Sequence, residues 1–268
     1  MSELKLPEPQ GDLRAEISKI ANDLYLPAFA QYARFISPKA SFEENLHMLL
    51  TEQSQITFQS RVKRRLKTAG FPQVKTMDMF EMSKEHLPNL NFDELRELAT
   101  CKFIDEKLDV CAVGPSGHGK SHIALAIGYE AIKRGYSVKF RRASDIINEM
   151  SEAKSERQLA DYIRLMSRCS LLIIDEVGYL NYDLASSSLL YQIIGARYEV
   201  GSTFYTSNLE FSKWVQFIGD DALTMAIVSR IAHHSVLLDM NGPNAWRLEH
   251  ARSRQVHKNA ASELDWEV

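Results

Sequence analysis

The first quarter of the chain has the hydrophobic pattern of helices. Apolar side chains recur every three or four residues across positions 13–67, and Pro27 interrupts the pattern. Ser41 and Glu44 have the spacing of a capping box, in which each side chain binds the backbone N–H of the other residue, and they predict the start of a long helix. We therefore expect a small all-α domain over residues 1–70.

The rest of the chain alternates short apolar segments with helical patterns. Strands are predicted at 109–113, 136–140, 170–174, 202–206 and 236–238. Helices are predicted at 91–100, 121–134, 188–198, 211–217 and 223–232, with two more that are capped by Ser144 and by Ser155 with Gln158. Such alternation predicts an α/β fold with a central parallel sheet, here over residues 71–250, and we expect residues 251–268 to be a flexible tail.

One segment combines glycines, a lysine and a serine between the first strand and the next helix. Residues 114–121 fit the phosphate-binding pattern G-x-x-x-x-G-K-[ST]. Its glycines let backbone N–H groups point at phosphate oxygens, and the helix N-terminus adds partial positive charge. The Lys120 ammonium would reach the β- and γ-phosphates, and the Ser121 hydroxyl would ligate Mg²⁺. A glycine turn with a chance lysine is the alternative, and the position between strand and helix disfavours it. The candidate nucleotide ligands are Gly114, Pro115, Ser116, Gly117, His118, Gly119, Lys120, Ser121 and His122.

Two carboxylates follow the apolar strand at 170–174. Asp175 and Glu176 stand where ligands bind in open α/β sheets, at the carboxyl end of a strand. Asp175 would join Ser121 in the Mg²⁺ shell, and Glu176 would orient or deprotonate the attacking water. An apolar strand followed by two acids is a weak signal alone, but the upstream phosphate loop strengthens it.

Three further polar residues are candidates for the same chemistry. Asn208 follows the strand at 202–206 and would orient water or sense the γ-phosphate, although it could equally cap the next helix. Arg230 and Arg247 would stabilise charge on the transferred phosphoryl group, although isolated arginines are more often surface ion-pair residues.

The charge distribution places any nucleic-acid interface in a local region. The 268 residues are 45% hydrophobic and 25% charged, as in ordinary globular proteins, and their net charge is −3, so the total charge does not indicate nucleic-acid binding. Residues 61–67 are the strongest basic run, which would bind phosphates or form a solvated helix face. Its cations are Arg61, Lys63, Arg64, Arg65 and Lys67, with Lys139, Arg141 and Arg142 as weaker additions.

The remaining composition indicates a cytoplasmic protein. Cys101, Cys111 and Cys169 lack metal-ligand spacing and are expected to be reduced. The N-terminus lacks the apolar core of a signal peptide, and no apolar run is long enough for a membrane helix, so no membrane association is expected.

With these motifs, the chain resembles the IstB family, the AAA+ ATPase helpers of bacterial insertion-sequence transposition, which are similar to DnaC and DnaA. The resemblance covers roughly residues 46–250. It is carried by the segments GPSGHGKSHIALAIG, LLIIDEVGYL and RYEVGSTFYTSN, and by Trp214, Phe217, Asp220 and Asp221. Two segments depart from the family: Ser229-Arg230 stands where D-R is common, and Ala245-Trp246-Arg247 where S-Y-R is common.

The resemblance implies roles and partners that composition and spacing do not show. Asn208 corresponds to the first sensor, Arg230 to an arginine finger offered to a neighbouring subunit, and Arg247 to the second sensor. The family implies Mg²⁺-dependent ATP hydrolysis and a homo-oligomer with ATP sites at subunit interfaces. It also implies remodelling of duplex DNA and recruitment and stimulation of an IstA-like transposase in the bacterial cytoplasm.

Three alternatives remain open from the sequence. A DnaC-like helicase loader would share the ATPase chemistry and differ in its partner. A scaffold that binds ATP without hydrolysis would not need the acidic pair at Asp175 and Glu176. A small-molecule kinase would need a lid and an acceptor pocket, and the sequence shows no sign of either.

Overall fold

A computed structural model describes residues 12–243. Within this range the chain divides into two compact units, the first ending at Arg64 and the second beginning at Arg65. The domain limits predicted at residues 70 and 250 remain predictions. Arg247 and the predicted tail lie outside the described residues.

The first unit is helical, as its hydrophobic pattern predicts. It contains α1 (Leu13–Asp23), α2 (Pro27–Ala30) and the first part of α3 (Phe42–Ala69). The capping box is confirmed, because the Ser41 N–H donates to Glu44 Oε2 at 2.7 Å and the Glu44 N–H donates to Ser41 Oγ at 3.2 Å.

The second unit is built on a five-stranded parallel sheet in the order β2-β3-β4-β1-β5. Its strands are β1 (Asp109–Val113), β2 (Val138–Arg142), β3 (Leu171–Val177), β4 (Ser202–Ser207) and β5 (Ser235–Asp239). Its helices are α4 (Phe92–Leu98), α5 (Lys102–Asp105), α6 (Lys120–Arg134), α7 (Ala143–Ser155), α8 (Leu159–Ser167), α9 (Leu184–Arg197), α10 (Val215–Ile218) and α11 (Asp221–His233). The predicted α/β class with a central parallel sheet is therefore confirmed.

Alternate residues of the inner strand β3 face helices on opposite sides of the sheet. Leu172 and Ile174 belong to a buried cluster with side chains of α7, α9 and α11. Ile173 points the other way, toward α6, where a Cβ on Gly128 would lie 2.7 Å from Ile173 Cδ1. This period-two burial explains the continuous apolar sequence of the strand.

Several predicted boundaries are wrong. Ser144 does not cap α7, because the helix already begins at Ala143 with Arg142 as its N-cap residue. Ser155 does not cap α8, because it is the last residue of α7 and donates to the Glu152 carbonyl oxygen at 2.7 Å. The helix predicted at 211–217 is divided into a 3₁₀ turn at Phe211–Lys213 and the short α10.

A buried arginine organises the amino-terminal ends of the strands. Arg197, the last residue of α9, is 1% exposed. Its guanidinium donates to the carbonyl oxygens of Met166 and Ser202 at 2.6 and 2.5 Å and to Thr203 Oγ1 at 3.0 Å. These bonds join the end of α8 to the start of β4, so the arginine of the RYE segment has a structural role.

Asp109, the first residue of β1, couples stability to pH. Its carboxylate accepts the Thr203 N–H at 2.6 Å. Burial raises its pKa from 3.8 to about 7, and the Thr203 N–H and the Arg197 charge oppose this shift only in part.

We expect the Asp109 contribution to the free energy of unfolding to fall as pH rises from about 4 to about 7, because Asp109 ionises at a lower pH in the unfolded chain than in the folded chain. Asp109→Asn retains an acceptor for the Thr203 N–H and removes the ionisation. Relative to the parent, it should gain up to about 3 kcal/mol between pH 5 and pH 8 in urea unfolding. The matched control is Asp161→Asn, at a side chain that is 72% exposed. Parallel profiles for the parent and Asp109→Asn would contradict the assignment.

Candidate nucleotide-binding site

The phosphate loop joins β1 to α6, and two of its glycines are required by close contacts. A Cβ on Gly114 would lie 2.5 Å from the Met240 carbonyl oxygen. Gly119, the N-cap residue of α6, has a φ of 80°, and a Cβ there would lie 2.7 Å from the Phe80 ring. The loop is therefore closely packed on both sides, and larger residues would displace it.

The Lys120 side chain folds back along the loop. Its ammonium donates to the carbonyl oxygens of Gly114 and Pro115 at 2.6 and 2.7 Å. This position places a positive charge inside the curve of the loop, where the triphosphate is expected.

Hydroxyl groups from two neighbouring elements donate to Asp175 at the carboxyl end of β3. Ser121 Oγ, in the first turn of α6, donates to Asp175 Oδ1 at 2.8 Å. Thr206 Oγ1 in β4 donates to the same carboxylate oxygen at 2.5 Å and accepts the Glu176 N–H at 3.0 Å. The two predicted metal ligands are thus adjacent, and Asp175 is only 5% exposed. The sequence prediction missed Thr206, although its position before Asn208 at the end of the neighbouring strand is a signal.

Glu176 lies in an irregular part of β3. Its φ is 62°, and the pairing of β3 with β4 shifts register between Ile174 and Val177. A bulge of this kind redirects a side chain at the end of a strand, and a left-handed non-glycine residue is strained. The Glu176 carboxylate lies 3.4 Å from Arg142 Nε, so an ion pair with β2 also orients it.

A cavity of about 290 Å³ brings most of the predicted site together. The predicted residues that line it are Ser116, Gly117, Gly119, Lys120, Ser121, His122, Glu176 and Asn208. Gly114, Pro115 and Asp175 are not among its lining residues. His118 lies behind the loop and is 3% exposed, with its ring nitrogens 3.3 Å from the carbonyl oxygens of Ser116 and Gly242. His118 therefore supports the loop from behind.

A segment that the sequence prediction missed forms another wall of the cavity. Its lining residues include Lys75, Phe80 and Met82. His122 holds it in place, because one ring nitrogen lies 3.0 Å from the Thr76 carbonyl oxygen and the ring packs edge-on against Phe80. Burial lowers the pKa of His122, so the imidazole favours its neutral form at this position.

Asn208 is exposed at the cavity, and Arg230 lies elsewhere. Asn208 caps no helix, because the following 3₁₀ turn has Glu210 as its N-cap residue. Arg230 in α11 is absent from the cavity lining, and its guanidinium lies over the Tyr191 ring of α9.

The five predicted DNA-binding cations differ in exposure. Four of them, Arg61, Lys63, Arg64 and Lys67, are exposed, and Arg65 is half-buried. The additional cations have partners, because Lys139 donates to the Thr68 carbonyl oxygen at 3.0 Å and Arg141 pairs with Glu149 at 3.0 Å. Within residues 12–243, no helix is long and apolar enough to cross a membrane.

A parallel α/β sheet with a phosphate loop and a strand-end acid defines a P-loop nucleotide-binding fold, and known structures share this fold. A DNA replication initiation factor matches with a TM-score of 0.54 and 21% identity, covering 69% of this chain and 55% of that chain. DnaA from Aquifex aeolicus with bound AMPPCP matches with a TM-score of 0.53 and 20% identity, covering 72% and 56%.

The model of the IstB-like ATP binding protein family matches residues 15–254, so the chain belongs to that family. The ATP-binding protein of insertion sequence IS5376 from Geobacillus stearothermophilus is 35% identical over 251 residues, which cover 91% of this chain and 98% of that protein. The ATP-binding protein of insertion sequence IS21 from Pseudomonas aeruginosa is 34% identical over 216 residues, which cover 81% and 80%. The family resemblance seen in the sequence is confirmed.

Proposed function

We propose that this chain is an ATP-dependent helper of transposition in the bacterial cytoplasm. It oligomerises on duplex DNA, remodels the DNA, and recruits and stimulates a partner transposase, with ATP hydrolysis as the switch. The observation that carries the proposal is the 2.8 Å contact between Ser121 and Asp175, which joins the phosphate loop to the strand-end acids in a chain of the IstB-like family.

The donor set fits a magnesium ion. Mg²⁺ prefers hydroxyl, carboxylate and water oxygens. Ser121 lines the cavity, and its Oγ atom lies 2.8 Å from Asp175 Oδ1, so the two oxygen atoms are adjacent. These two residues would hold the ion, which would supply positive charge to stabilise the triphosphate and the charge that develops on it during transfer.

The protein groups around the cavity support hydrolysis. Lys120 leaves its loop carbonyls and binds the β- and γ-phosphates, and Glu176 takes a proton from the attacking water. The water oxygen bonds to the γ-phosphorus as the bond to the bridging oxygen breaks, releasing ADP and phosphate. Asn208 orients the water, Arg247 senses the γ-phosphate in the same subunit, and Arg230 serves a neighbouring subunit.

The names of the relatives favour transposition over helicase loading. Both relatives described above are named as insertion-sequence proteins. The DnaC-like loader remains the alternative, and capture experiments with a transposase and a replicative helicase would separate the two functions.

Sedimentation tests the assembly step. We expect a large species only when the protein is mixed with both ATP and duplex DNA, because ATP would complete the interface between subunits and one DNA molecule would bind several subunits. Lys120→Ala should remain small under the same conditions. An equally large species with ADP and DNA would contradict ATP control of assembly.

The exposed cations of α3 should carry part of the DNA affinity. The logarithm of the DNA-binding constant falls linearly with the logarithm of the salt concentration. Each phosphate that the protein neutralises makes this slope steeper by about 0.9. Replacement of Arg61 and Arg64 by glutamine should therefore reduce that slope by up to about 2 in fluorescence anisotropy.

The matched control for this experiment replaces two cations of α6 that already have a partner. Lys133 and Arg134 pair with Glu130 at 2.9 and 2.8 Å, so their glutamine variants should keep the parental slope. An unchanged slope in the α3 variant, or an equal loss in the control, would place the DNA contacts elsewhere.

A further inference from the structure

Two residues of α9 form a seat for the guanidinium of Arg230. We propose that Tyr191 and Gly195 are positioning residues, which hold Arg230 ready for the ATP site of a neighbouring copy of this chain. The inference rests on the proposed function, in which Arg230 acts between subunits.

The aromatic part of the seat is the Tyr191 ring. The Arg230 Cζ atom lies 4.2 Å from the ring centroid, within the range of a cation–π contact. Tyr191 also packs against the buried cluster between the sheet and its helices. Because the ring is held in place, it can restrict the long arginine side chain to one direction.

The second part of the seat is the space left by Gly195, one turn beyond Tyr191 in α9. A Cβ at this position would lie 3.2 Å from one terminal guanidinium nitrogen of Arg230 and 3.7 Å from Cζ. Glycine inside a helix is less stable than alanine, so its presence here requires another explanation. Space for the guanidinium explains it.

Arg230 lies in this seat without a carboxylate partner. Among residues 12–243, no ion pair or hydrogen bond to its guanidinium is found. Glu199, which follows α9, is instead bound to His234 at 3.1 Å. The guanidinium N–H groups thus remain available to a phosphate while the Tyr191 ring fixes the position of Cζ.

Placement in a seat matters because a mobile arginine must lose conformational freedom before it can act. Immobilising a side chain with many rotamers at an interface lowers the net gain from the contact. Stacking on Tyr191 restricts the arginine before assembly. The structure therefore predicts that the seat increases the rate of hydrolysis in the neighbouring site and leaves ATP affinity unchanged.

Mixed assemblies test this directional effect. One type of subunit carries Arg230→Ala and keeps an intact ATP site. The other carries Glu176→Gln and can only donate its arginine. Hydrolysis in the mixture, assayed with ATP and duplex DNA, comes from sites of the first type that receive an arginine from the second type.

Tyr191→Leu is then placed in either type of subunit. In the arginine-donating subunit it should lower the hydrolysis rate about two- to fivefold, as expected for loss of a cation–π contact. In the receiving subunit it should leave the rate unchanged. Tyr191→Phe, which keeps the ring, should restore the rate in the donating subunit.

Gly195→Ala separates the seat from a general effect on folding. Alanine favours the helix, so the melting temperature should stay the same or rise, whereas the rate should fall when the variant is in the donating subunit.

Equal effects of Tyr191→Leu in both types of subunit, or a parental rate with Gly195→Ala donors, would overturn the seat while leaving Arg230 as the donor. Absence of any hydrolysis in the parental mixture would overturn the action of Arg230 between subunits, and the seat with it.

Discussion

Replacement of Lys120 by alanine should lower the affinity for ATP by about a hundredfold, the value expected for losing hydrogen bonds from a charged group to phosphate. The Lys120 ammonium lies inside the curve of the phosphate loop, bound to the carbonyl oxygens of Gly114 and Pro115. A bound triphosphate presents stronger hydrogen-bond acceptors in the same place, so the ammonium group should leave the carbonyl oxygens and bind the phosphates. Titration of a fluorescent ATP analogue would measure the change.

The control for Lys120→Ala is Lys133→Ala on the same helix. Lys133 is paired with Glu130 in the last turn of α6 and is not a lining residue of the cavity, so its variant should bind ATP as the parent does. Parental affinity in Lys120→Ala would show that the phosphates bind elsewhere. Both variants should unfold at the parental urea concentration, which excludes a folding defect.

Glu176→Gln should bind ATP with the parental affinity and hydrolyse it about a hundred to ten thousand times more slowly, the range expected for loss of a general base. Glutamine has nearly the same shape as glutamate but accepts a proton poorly. The bulge in β3 gives residue 176 its direction through the backbone, so the side chain of the variant should occupy the same place. Phosphate release at saturating ATP and DNA would measure the loss.

Glu156→Gln is the control for the carboxylate. Glu156 follows α7 and is exposed, and it is not a lining residue of the cavity. Its variant should keep the parental rate. If Glu176→Gln hydrolysed ATP at the parental rate, another group would have to activate the water.

The elements that could be predicted from the sequence are those with a strong local signal. β1 is apolar after its first residue, Asp109, and α6 begins directly after the glycines of the phosphate loop, so both lie close to their predicted limits. The caps predicted at Ser144 and Ser155 failed because a serine caps a helix only when the helix begins directly after it. That position depends on where the preceding strand or helix ends.

The parts of the site that escaped prediction depend on tertiary contacts. Thr206 becomes a partner of Asp175 only because β4 lies next to β3 in the sheet. Phe80 lies in a segment without hydrophobic periodicity, and only the folded chain brings it against Gly119. Tyr191 and Gly195 likewise have the pattern of an ordinary buried helix until α11 places Arg230 over them.

The ion pair between Arg142 and Glu176 should make the rate of ATP hydrolysis depend on the salt concentration. Its side chains are 55% and 43% exposed, and Arg142 belongs to β2 at the rim of the sheet. The two charged groups are 3.4 Å apart, and the screening length falls from about 8 Å at 0.15 M salt to about 3 Å at 1 M, so concentrated salt should weaken this pair as well as any DNA contact. Added potassium chloride should therefore change the rate of ATP hydrolysis in two ways. It should release the Glu176 carboxylate, the proposed general base, from Arg142, and it should weaken binding to the double helix.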